Sequence, residues 1–189
     1  ASATSLGTSP GGHSLLSDLL AERGATVRRR LTRVDEIAED TAAVVVLDAD
    51  LEPEEWDQLL EWAGRGGTLV VAGQTGSASE RLGLLGAGPC CSEALRVEPD
   101  SVEAELGGFA DAAVHGKPAA TLRERDSSEL PILSCGSRPY LATRSYGSGT
   151  TIGAGDASFF SNASLLAGDN ARLVAALLQE HSVVEIVDV

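Results

Sequence analysis

Four short loops carry most of the side chains in this sequence that could bind or transform a ligand. They read "TSPGGH" (8–13), "LDADLEP" (47–53), "AGQTGS" (72–77) and "GDASFFSN" (155–162). Each combines glycine or proline, which favour turns, with acids, amides, hydroxyls or a histidine. The candidate ligand-binding residues that they contribute are His13, Asp48, Gln74, Asp156 and Asn162.

Two kinds of chemistry could be assembled from these loops. A Ser-His-Asp arrangement could use Ser77, His13 and Asp156. However, "GQTGSAS" lacks the Gly-x-Ser-x-Gly elbow that would hold such a serine exposed. Asp48, Asp50 and Asp156 could gather a hard cation such as Mg²⁺, but acids at strand ends are more often helix caps or solvated turns. The sequence therefore predicts no metal site and no cofactor.

The elements that would position these loops alternate between helix and strand. "GGHSLLSDLLAERG" has leucines at helical spacing and ends at Gly24. "AAVVVLDAD" and "GTLVVAG" are apolar runs typical of strands buried on both faces, and a helix at 53–64 separates them. Segments 43–48 and 68–72 are therefore predicted to be neighbouring parallel strands. This pattern predicts an α/β fold with a doubly wound, mostly parallel sheet, whose carboxyl edge would hold the four loops.

The middle of the chain has a different pattern. From about residue 86 to 146 the helical periodicity fades and short alternating pieces such as "EALRVEP" appear, which predicts an inserted, mostly β or irregular region. "PYLATRSYGSG" and "TTIGAGD" predict a hairpin that turns at 147–149. A helix from about 169 to 180 and the strand "VVEIVDV" follow. Together these elements predict a single domain over 1–189.

Charge and apolar content limit the classes of protein to which the chain can belong. The 28 acidic and 14 basic residues give a net charge of −14, which opposes binding to nucleic-acid phosphates. The basic cluster Arg28, Arg29, Arg30 and Arg33 has no interleaved aromatic residues, so it is better interpreted as a charged strand edge. The longest apolar run is far below the roughly 18 residues that span a bilayer. We therefore expect a soluble domain without a nucleic-acid partner.

Two features predict a location outside the cytoplasm. The sequence contains no Met, even at position 1, so we expect a preceding segment, such as a signal peptide or anchor, to have been removed. Cys90, Cys91 and Cys135 form no Cys-x-x-Cys pair and lie far from the histidines in sequence, which disfavours zinc. A disulfide between Cys135 and Cys90 or Cys91 is favoured over three buried thiols, because the vicinal pair can hardly bond to each other.

Three segments of the chain, one at each end and one at 47–73, resemble one known family. "GSGTTIGAGDASFFSNASLLAGDNARLVAALL" resembles the C-terminal signature of the domain-of-unknown-function family numbered 4350, in which Gly-Asp, (S/T)-N and (D/G)-N-A precede an apolar helix. "TSPGGHSLLSDLLAERGATV" is similar to the opening of that family, and "LDADLEPEEWDQLLEWAGRGGTLVVAG" to its central unit. The resemblance covers both ends of the chain well and the middle poorly.

The resemblance implies a fold and a cellular context. The implied fold is a divergent branch of the class I glutamine-amidotransferase-like fold, with a flavodoxin-like sheet. The implied context is a membrane-anchored protein with this domain outside the cytoplasm, encoded beside a MoxR-type AAA+ ATPase. An amidotransferase needs a Cys nucleophile on a strand-to-helix elbow and an activating His. The corresponding positions read "GQTG" (73–76) and "GD" (155–156), so amidotransferase activity is not expected.

Every residue of the loop 155–162 has a structural use. Gly155 permits a tight turn, Asp156 can accept amide hydrogen bonds, and the two phenylalanines can anchor the loop in the core. Ser161 and Asn162 are suited to capping the next helix. We therefore expect a non-catalytic binding or scaffolding domain of a membrane-associated, extracytoplasmic protein, with protein partners at the membrane. The alternative is a hydrolase-like or metal-assisted enzyme that uses the strand-end loops.

The cysteines give a first testable prediction. In protein made under oxidising conditions, Cys135 should be bonded to Cys90 or Cys91, and thiol counting under denaturation should find one free thiol per chain. The bridge would close a loop of about 45 residues, for which the chain-entropy model gives roughly 4 kcal/mol of stabilisation as an upper value. Three free thiols per chain would rule the bridge out.

Overall fold

The computed structural model describes residues 7–31, 33–73, 94–116, 118–122, 129–178 and 181–187. In these residues one sheet is accompanied by helices on both faces. The strands are β1 (Thr26–Arg30), β2 (Ala43–Leu47), β3 (Thr68–Ala72), β4 (Leu95–Val97), β5 (Leu130–Cys135), β6 (Arg138–Tyr146), β7 (Gly149–Ala154) and β8 (Val183–Val187). The helices are α1 (Ser14–Glu22), α2 (Pro53–Gly64), α3 (Pro99–Glu105), α4 (Asn162–Leu165) and α5 (Asn170–Leu178), with a 3₁₀ turn at Ala157–Phe160.

The sheet has the strand order β1-β8-β2-β3-β7-β6-β5-β4. The pairs β1–β8, β8–β2, β2–β3 and β3–β7 are parallel. The pairs β7–β6, β6–β5 and β5–β4 are antiparallel. The predicted parallel neighbours 43–48 and 68–72 are confirmed as β2 and β3, with α2 between them in sequence. The predicted hairpin is confirmed as β6 and β7.

The prediction of a doubly wound, mostly parallel sheet is wrong, and with it the flavodoxin-like (class I glutamine-amidotransferase-like) form of that sheet. The sheet is mixed, because β4, β5 and β6 extend it from β7 in antiparallel order. Two strands joined by a tight turn can only pair antiparallel, so the β6–β7 hairpin reverses the direction of the sheet at that point. Within the described part of the middle region, 95–97, 130–135 and 138–146 form this second half of the same sheet, whereas 99–105 forms the helix α3.

The parallel half of the sheet has a core on each face, and one of these two cores also includes residues of β4, β5 and β6. Val45 of β2 packs with α1, α5 and the 3₁₀ turn, whereas Val44 and Val46 pack with α2 on the opposite face. Trp56 of α2 is almost fully buried in that second cluster. Alternate residues of one strand thus enter two different cores, which explains why β2 is apolar at every position. Among the described helices, none has both the length and the apolar character needed to cross a bilayer.

The basic cluster lies on β1, at the edge of the sheet. Arg28 makes a two-pronged ion pair with Asp40, with both N–O distances at 2.7 Å. Arg30 contacts Glu185, a buried carboxylate on the neighbouring strand β8. These contacts support the interpretation of the cluster as a charged edge strand, because two of the arginines neutralise acids of this same chain.

Replacing Arg30 or Arg28 by alanine should lower the stability of the fold by very different amounts. Arg30→Ala leaves the buried Glu185 carboxylate without its cation, which typically costs about 3–5 kcal/mol. We expect a loss at the low end of that range, because 19% of the Arg30 side chain is exposed. Arg28→Ala is the matched control and should change stability little, because its partner Asp40 is exposed. Urea unfolding measures both variants, and equal losses would contradict the assigned role of Glu185.

Candidate functional site

A cleft of about 490 Å³ opens where the ends of β2 and β7 meet the loop before α1. Its described lining includes His13, Asp48, Asp156, Ser158 and Ser161. The volume is within the range of small-molecule sites, which is about 300–1,000 Å³. The structure therefore brings three of the predicted ligand-binding residues, from three distant segments, into one concave site.

Asp48 follows β2 in an unusual backbone conformation. Its φ of 50° lies in the left-handed region, which only a few per cent of non-glycine residues adopt. Its backbone N–H donates to the Ala72 carbonyl at 2.9 Å. A Cβ atom on Gly73 would lie 2.1 Å from Asp48 Oδ1, so the carboxylate occupies space that only glycine leaves open. The sequence "GQTG" thus begins with the residue that makes room for this acid.

The surroundings of Asp48 disfavour its charge. Partial burial against the cleft wall raises the pKa of this carboxyl, the charge of His13 lowers it, and the nearby Asp156 carboxylate raises it. The result is a pKa above the ordinary value of 3.8. Asp48 is therefore an acid that the fold holds at some cost to its own stability.

Asp156 differs from Asp48, because both oxygens of its carboxylate accept hydrogen bonds from its own chain. Oδ1 accepts from the Ser158 N–H at 2.8 Å and from the Tyr140 hydroxyl at 3.1 Å. Oδ2 accepts from the Ala119 and Ala120 N–H groups at 2.5 and 3.2 Å. Four donors occupy the acceptor sites of a carboxylate. Asp156 therefore shapes the cleft by fixing the loops around it.

Tyr140 supports this corner from within the core. Burial, and then the charge of Asp156, raise the pKa of its hydroxyl above the ordinary value of 10.0, so the group stays a hydrogen-bond donor. Its ring meets Phe159 edge-on, with centroids 6.1 Å apart, and Phe159 meets Phe160 in the same way at 6.0 Å. The paired phenylalanines of the 155–162 loop are thus core anchors.

Asn162 does not line the cleft but holds one of its walls. Its Oδ1 accepts from the Leu15 N–H at 2.8 Å, and its Nδ2 donates to the carbonyls of Gly7 and Ser9 at 2.9 and 2.8 Å. The side chain of His13, which immediately precedes α1, makes no capping hydrogen bond. Asn162 therefore caps α1 from a distant part of the chain and fixes the loop that carries His13. The N-terminus of α4 is capped by Ser161, whose Oγ accepts from the Ser164 N–H at 3.3 Å.

Several predicted residues fall elsewhere. Gln74 and Ser77, like Cys90 and Cys91, lie outside the described residues. Cys135 is buried and disulfide-bonded, but its partner lies outside the described part of the chain, so the pairing stays a prediction.

The carboxylates that were considered for a cation do not all meet in the cleft. Asp48 and Asp156 line it, whereas Asp50 lies outside the lining and is exposed. In the described ranges, no three His, Cys, Asp or Glu side chains are grouped so that they could hold a metal ion. The main-chain donors of Ala119 and Ala120 could not be found from the sequence, because backbone N–H groups leave no mark on residue type.

Together, the fold and the cleft define an α/β domain with a mixed sheet and a ligand-sized depression at the carboxyl edge of its parallel strands. Residues 5–178 match the model of the family described as "Domain of unknown function (DUF4350)". The chain belongs to this family. A comparison with curated proteins gives no match.

Solved structures share the fold at low sequence identity. The cytoplasmic protein STM1381 from Salmonella typhimurium LT2 is 14% identical, with a TM-score of 0.61 over 90% of this chain and 87% of that one. The cytoplasmic protein STM3548 from Salmonella typhimurium is 13% identical, with a TM-score of 0.59 over the same shares. The "mmIFT52 N-terminal domain" is 18% identical, with a TM-score of 0.56 over 72% of this chain and 75% of that one. These matches show likeness of fold alone.

The cost of the Asp48 charge can be measured. Because this carboxyl binds its proton more tightly in the folded than in the unfolded chain, it lowers stability as pH rises from about 3.8 through the raised folded pKa. Asp48→Asn removes the charge and keeps a residue that tolerates φ > 0. We expect its Tm to equal or exceed that of the wild type at about pH 7, and any excess to vanish near about pH 3. A Tm that is lower at both pH values would show that the carboxylate supports the fold.

Proposed function

We propose that this domain is a non-catalytic binding or scaffolding module that recognises a protein partner through the carboxyl-edge cleft. The observation that carries the proposal is the set of hydrogen bonds that the Asp156 carboxylate accepts. A carboxylate that acts as a general base, or that orients one, must have an acceptor site directed at the reacting group. All four acceptor sites of Asp156 are directed at donors of its own chain.

The cleft hydroxyls have similar internal uses. Ser161 Oγ accepts from the Ser164 N–H as the cap of α4. The Ser158 side chain interacts with the hydroxyl of buried Tyr140 and, as a smaller effect than burial, acts to lower its pKa. A hydrolytic serine needs a free Oγ within hydrogen-bond reach of an activating base. The described lining of the cleft thus favours recognition over catalysis, and the hydrolase-like or metal-assisted alternative becomes an outcome of the experiments below.

The cellular setting is part of the same proposal. The resemblance to family 4350 supports an extracytoplasmic domain of a membrane-associated protein, working with a MoxR-type AAA+ ATPase. The disulfide at Cys135 is in keeping with an oxidising compartment. The net charge of −14 favours a partner with a basic surface, because opposite charges speed association and set its orientation.

Two substitutions test whether the loop 155–162 has a structural or a catalytic role. Asp156→Asn replaces one acceptor oxygen by a donor, so buried N–H groups lose their partner, and we expect a loss of about 1–3 kcal/mol. Asn162→Ala should cost about 0.5–2 kcal/mol, because it removes the cap of α1. Asp111→Asn, at an exposed position, is the control and should leave stability unchanged. Chemical unfolding measures all three variants.

The functional readout is partner binding by the folded fraction of each variant. The extracytoplasmic parts of membrane proteins encoded beside the gene are purified and titrated with the domain in calorimetry to find the partner. We expect the folded fractions of Asp156→Asn and Asn162→Ala to bind it, and a double substitution in the cleft, Asp48→Asn with Ser158→Ala, to weaken binding. A thermally neutral Asp156→Asn that abolishes a hydrolytic activity of the wild type would overturn the proposal in favour of an enzyme.

A further inference from the structure

A second cleft, of about 540 Å³, lies at the amino ends of β2 and β3, at the opposite edge of the sheet from Asp48 and Asp156. We call it the amino-edge cleft. Its volume, like that of the first cleft, is within the range of small-molecule sites, which is about 300–1,000 Å³. The function proposed above does not use it. The lining residues that could recognise a ligand are Ile37, Glu39, Thr41, Trp62, Arg65 and Gly67.

Thr41 gives this cleft a hydrogen-bonding group with no internal use. The residue is 6% exposed, and its N–H donates to the Ala38 carbonyl at 2.9 Å, which fixes its backbone just before β2. In the described part of the chain, the Thr41 hydroxyl is buried and has no hydrogen-bond partner. Buried polar groups in folded proteins are nearly always paired, because an unpaired one costs free energy. A ligand that seats a hydroxyl against this wall can therefore supply the partner.

Trp62 gives the cleft an aromatic wall. A Cβ atom on Gly67 would lie 2.5 Å from Trp62 Cζ2 and 2.6 Å from Cε2 and Cη2. Three ring atoms at nearly equal distances show that the indole lies with one face on the Gly67 backbone, where only glycine leaves room. Trp62 and Ile37 are half-buried, and both pack against the core that contains α2. The cleft therefore presents a fixed apolar surface beside a hydroxyl.

The charged groups at the cleft have both signs. Glu39 and Arg65 are exposed, and Arg65 pairs with Glu61 of α2 at an N–O distance of 2.9 Å. An anionic ligand would meet Glu39 and the net charge of −14, and a cationic ligand would meet Arg65. An uncharged ligand therefore suits this rim best. The two charged groups still serve such a ligand, because the carboxylate accepts hydrogen bonds and the guanidinium donates them.

We propose that the amino-edge cleft binds the pyranose ring of a saccharide. One face of a pyranose carries C–H groups, which pack on the indole of Trp62, because the face of an aromatic ring is apolar and carries partial negative charge. The edge of the pyranose carries neighbouring hydroxyls, each of which both donates and accepts hydrogen bonds. Thr41 supplies the buried partner, and Glu39 and Arg65 supply partners at the rim. This site lies apart from the carboxyl-edge cleft, so either proposal can fail without the other.

The experiment is a titration of the isotope-labelled domain, followed by backbone amide chemical shifts. The probes are methyl β-glucoside, methyl β-galactoside, methyl α-mannoside and N,N′-diacetylchitobiose. Sorbitol, which has the hydroxyls without the ring, is the control, and uracil tests whether the wall selects any flat ring. We expect at least one glycoside to shift the amides of Thr41, Gly66 and Gly67 with a Kd below about 10 mM. Sorbitol and uracil should leave these amides in place.

Tryptophan emission gives a second readout. The chain has two tryptophans, and Trp56 is buried in the core. A change in emission when a glycoside is added, but not when sorbitol is added, therefore reports the environment of Trp62. We expect this change to saturate at the same concentrations as the amide shifts.

Substitutions test the assigned contacts. Thr41→Val keeps the shape of the side chain and removes an unpaired buried group, so the Tm should be equal to or slightly above that of the wild type. Binding should weaken about three- to tenfold, the value of one hydrogen bond. Thr121→Val is the matched control, because the Thr121 hydroxyl is also buried without a partner among the described residues and lies outside the cleft lining. It should change binding by less than about twofold. Trp62→Leu should weaken binding by about tenfold or more.

Four results would each overturn the inference. No glycoside binds, sorbitol or uracil shifts the same amides as strongly as the glycosides do, Thr41→Val binds as tightly as the wild type, or the glycoside shifts the amides of Asp48 and Ser158 instead. If Trp62→Leu does not fold, the comparison of Thr41→Val with Thr121→Val decides alone.

Discussion

The Asp156 carboxylate connects parts of the chain that the sequence keeps far apart. Through its four hydrogen bonds it ties the end of β7 to the 3₁₀ turn, to Tyr140 of β6 and to the 119–120 loop. The close approach of that loop also depends on Gly155, since a Cβ atom there would lie 2.2 Å from the Ala120 carbonyl oxygen. The cleft therefore exists because one charged group satisfies four donors at the point where the parallel half of the sheet meets the antiparallel half.

Two asparagines also fasten loops at this edge of the sheet, through hydrogen bonds between their side-chain amides and backbone groups. Asn170, which is fully buried, accepts from the His115 N–H at 2.9 Å and donates to the His115 carbonyl at 2.6 Å, as a neighbouring peptide group would. Asn162 does the same for the loop before α1. Both residues lie in the segment that resembles the C-terminal signature of the family. In this structure they fasten loops to the sheet.

The sequence predicted much of the parallel half of the fold, because an unbroken run of valines is typical of a strand that is covered on both faces. It also predicted that His13, Asp48 and Asp156 would share an edge, since the carboxyl ends of parallel strands converge. It failed at β4 to β6, because alternation of residue type indicates that a strand exists but gives neither its direction nor its neighbour. The role of Asn162 was missed for a similar reason. A short amide before a helix resembles a local cap, whereas its partners lie 147 to 155 residues away.

The position of β8 has a consequence for how the protein is made. The last described strand lies between β1 and β2, and in the described sheet β1 pairs with β8 alone. A nascent chain leaving the ribosome can assemble β2, β3 and the hairpin of β6 and β7, while β1 has no neighbour to join. Long-range pairing of this kind is slow, and it leaves strand edges open while it is incomplete. Of the described strands, β1 is synthesised first but can pair only after β8 has been made, and a translation product that stops short of β8 would carry β1 as an unpaired, arginine-rich segment.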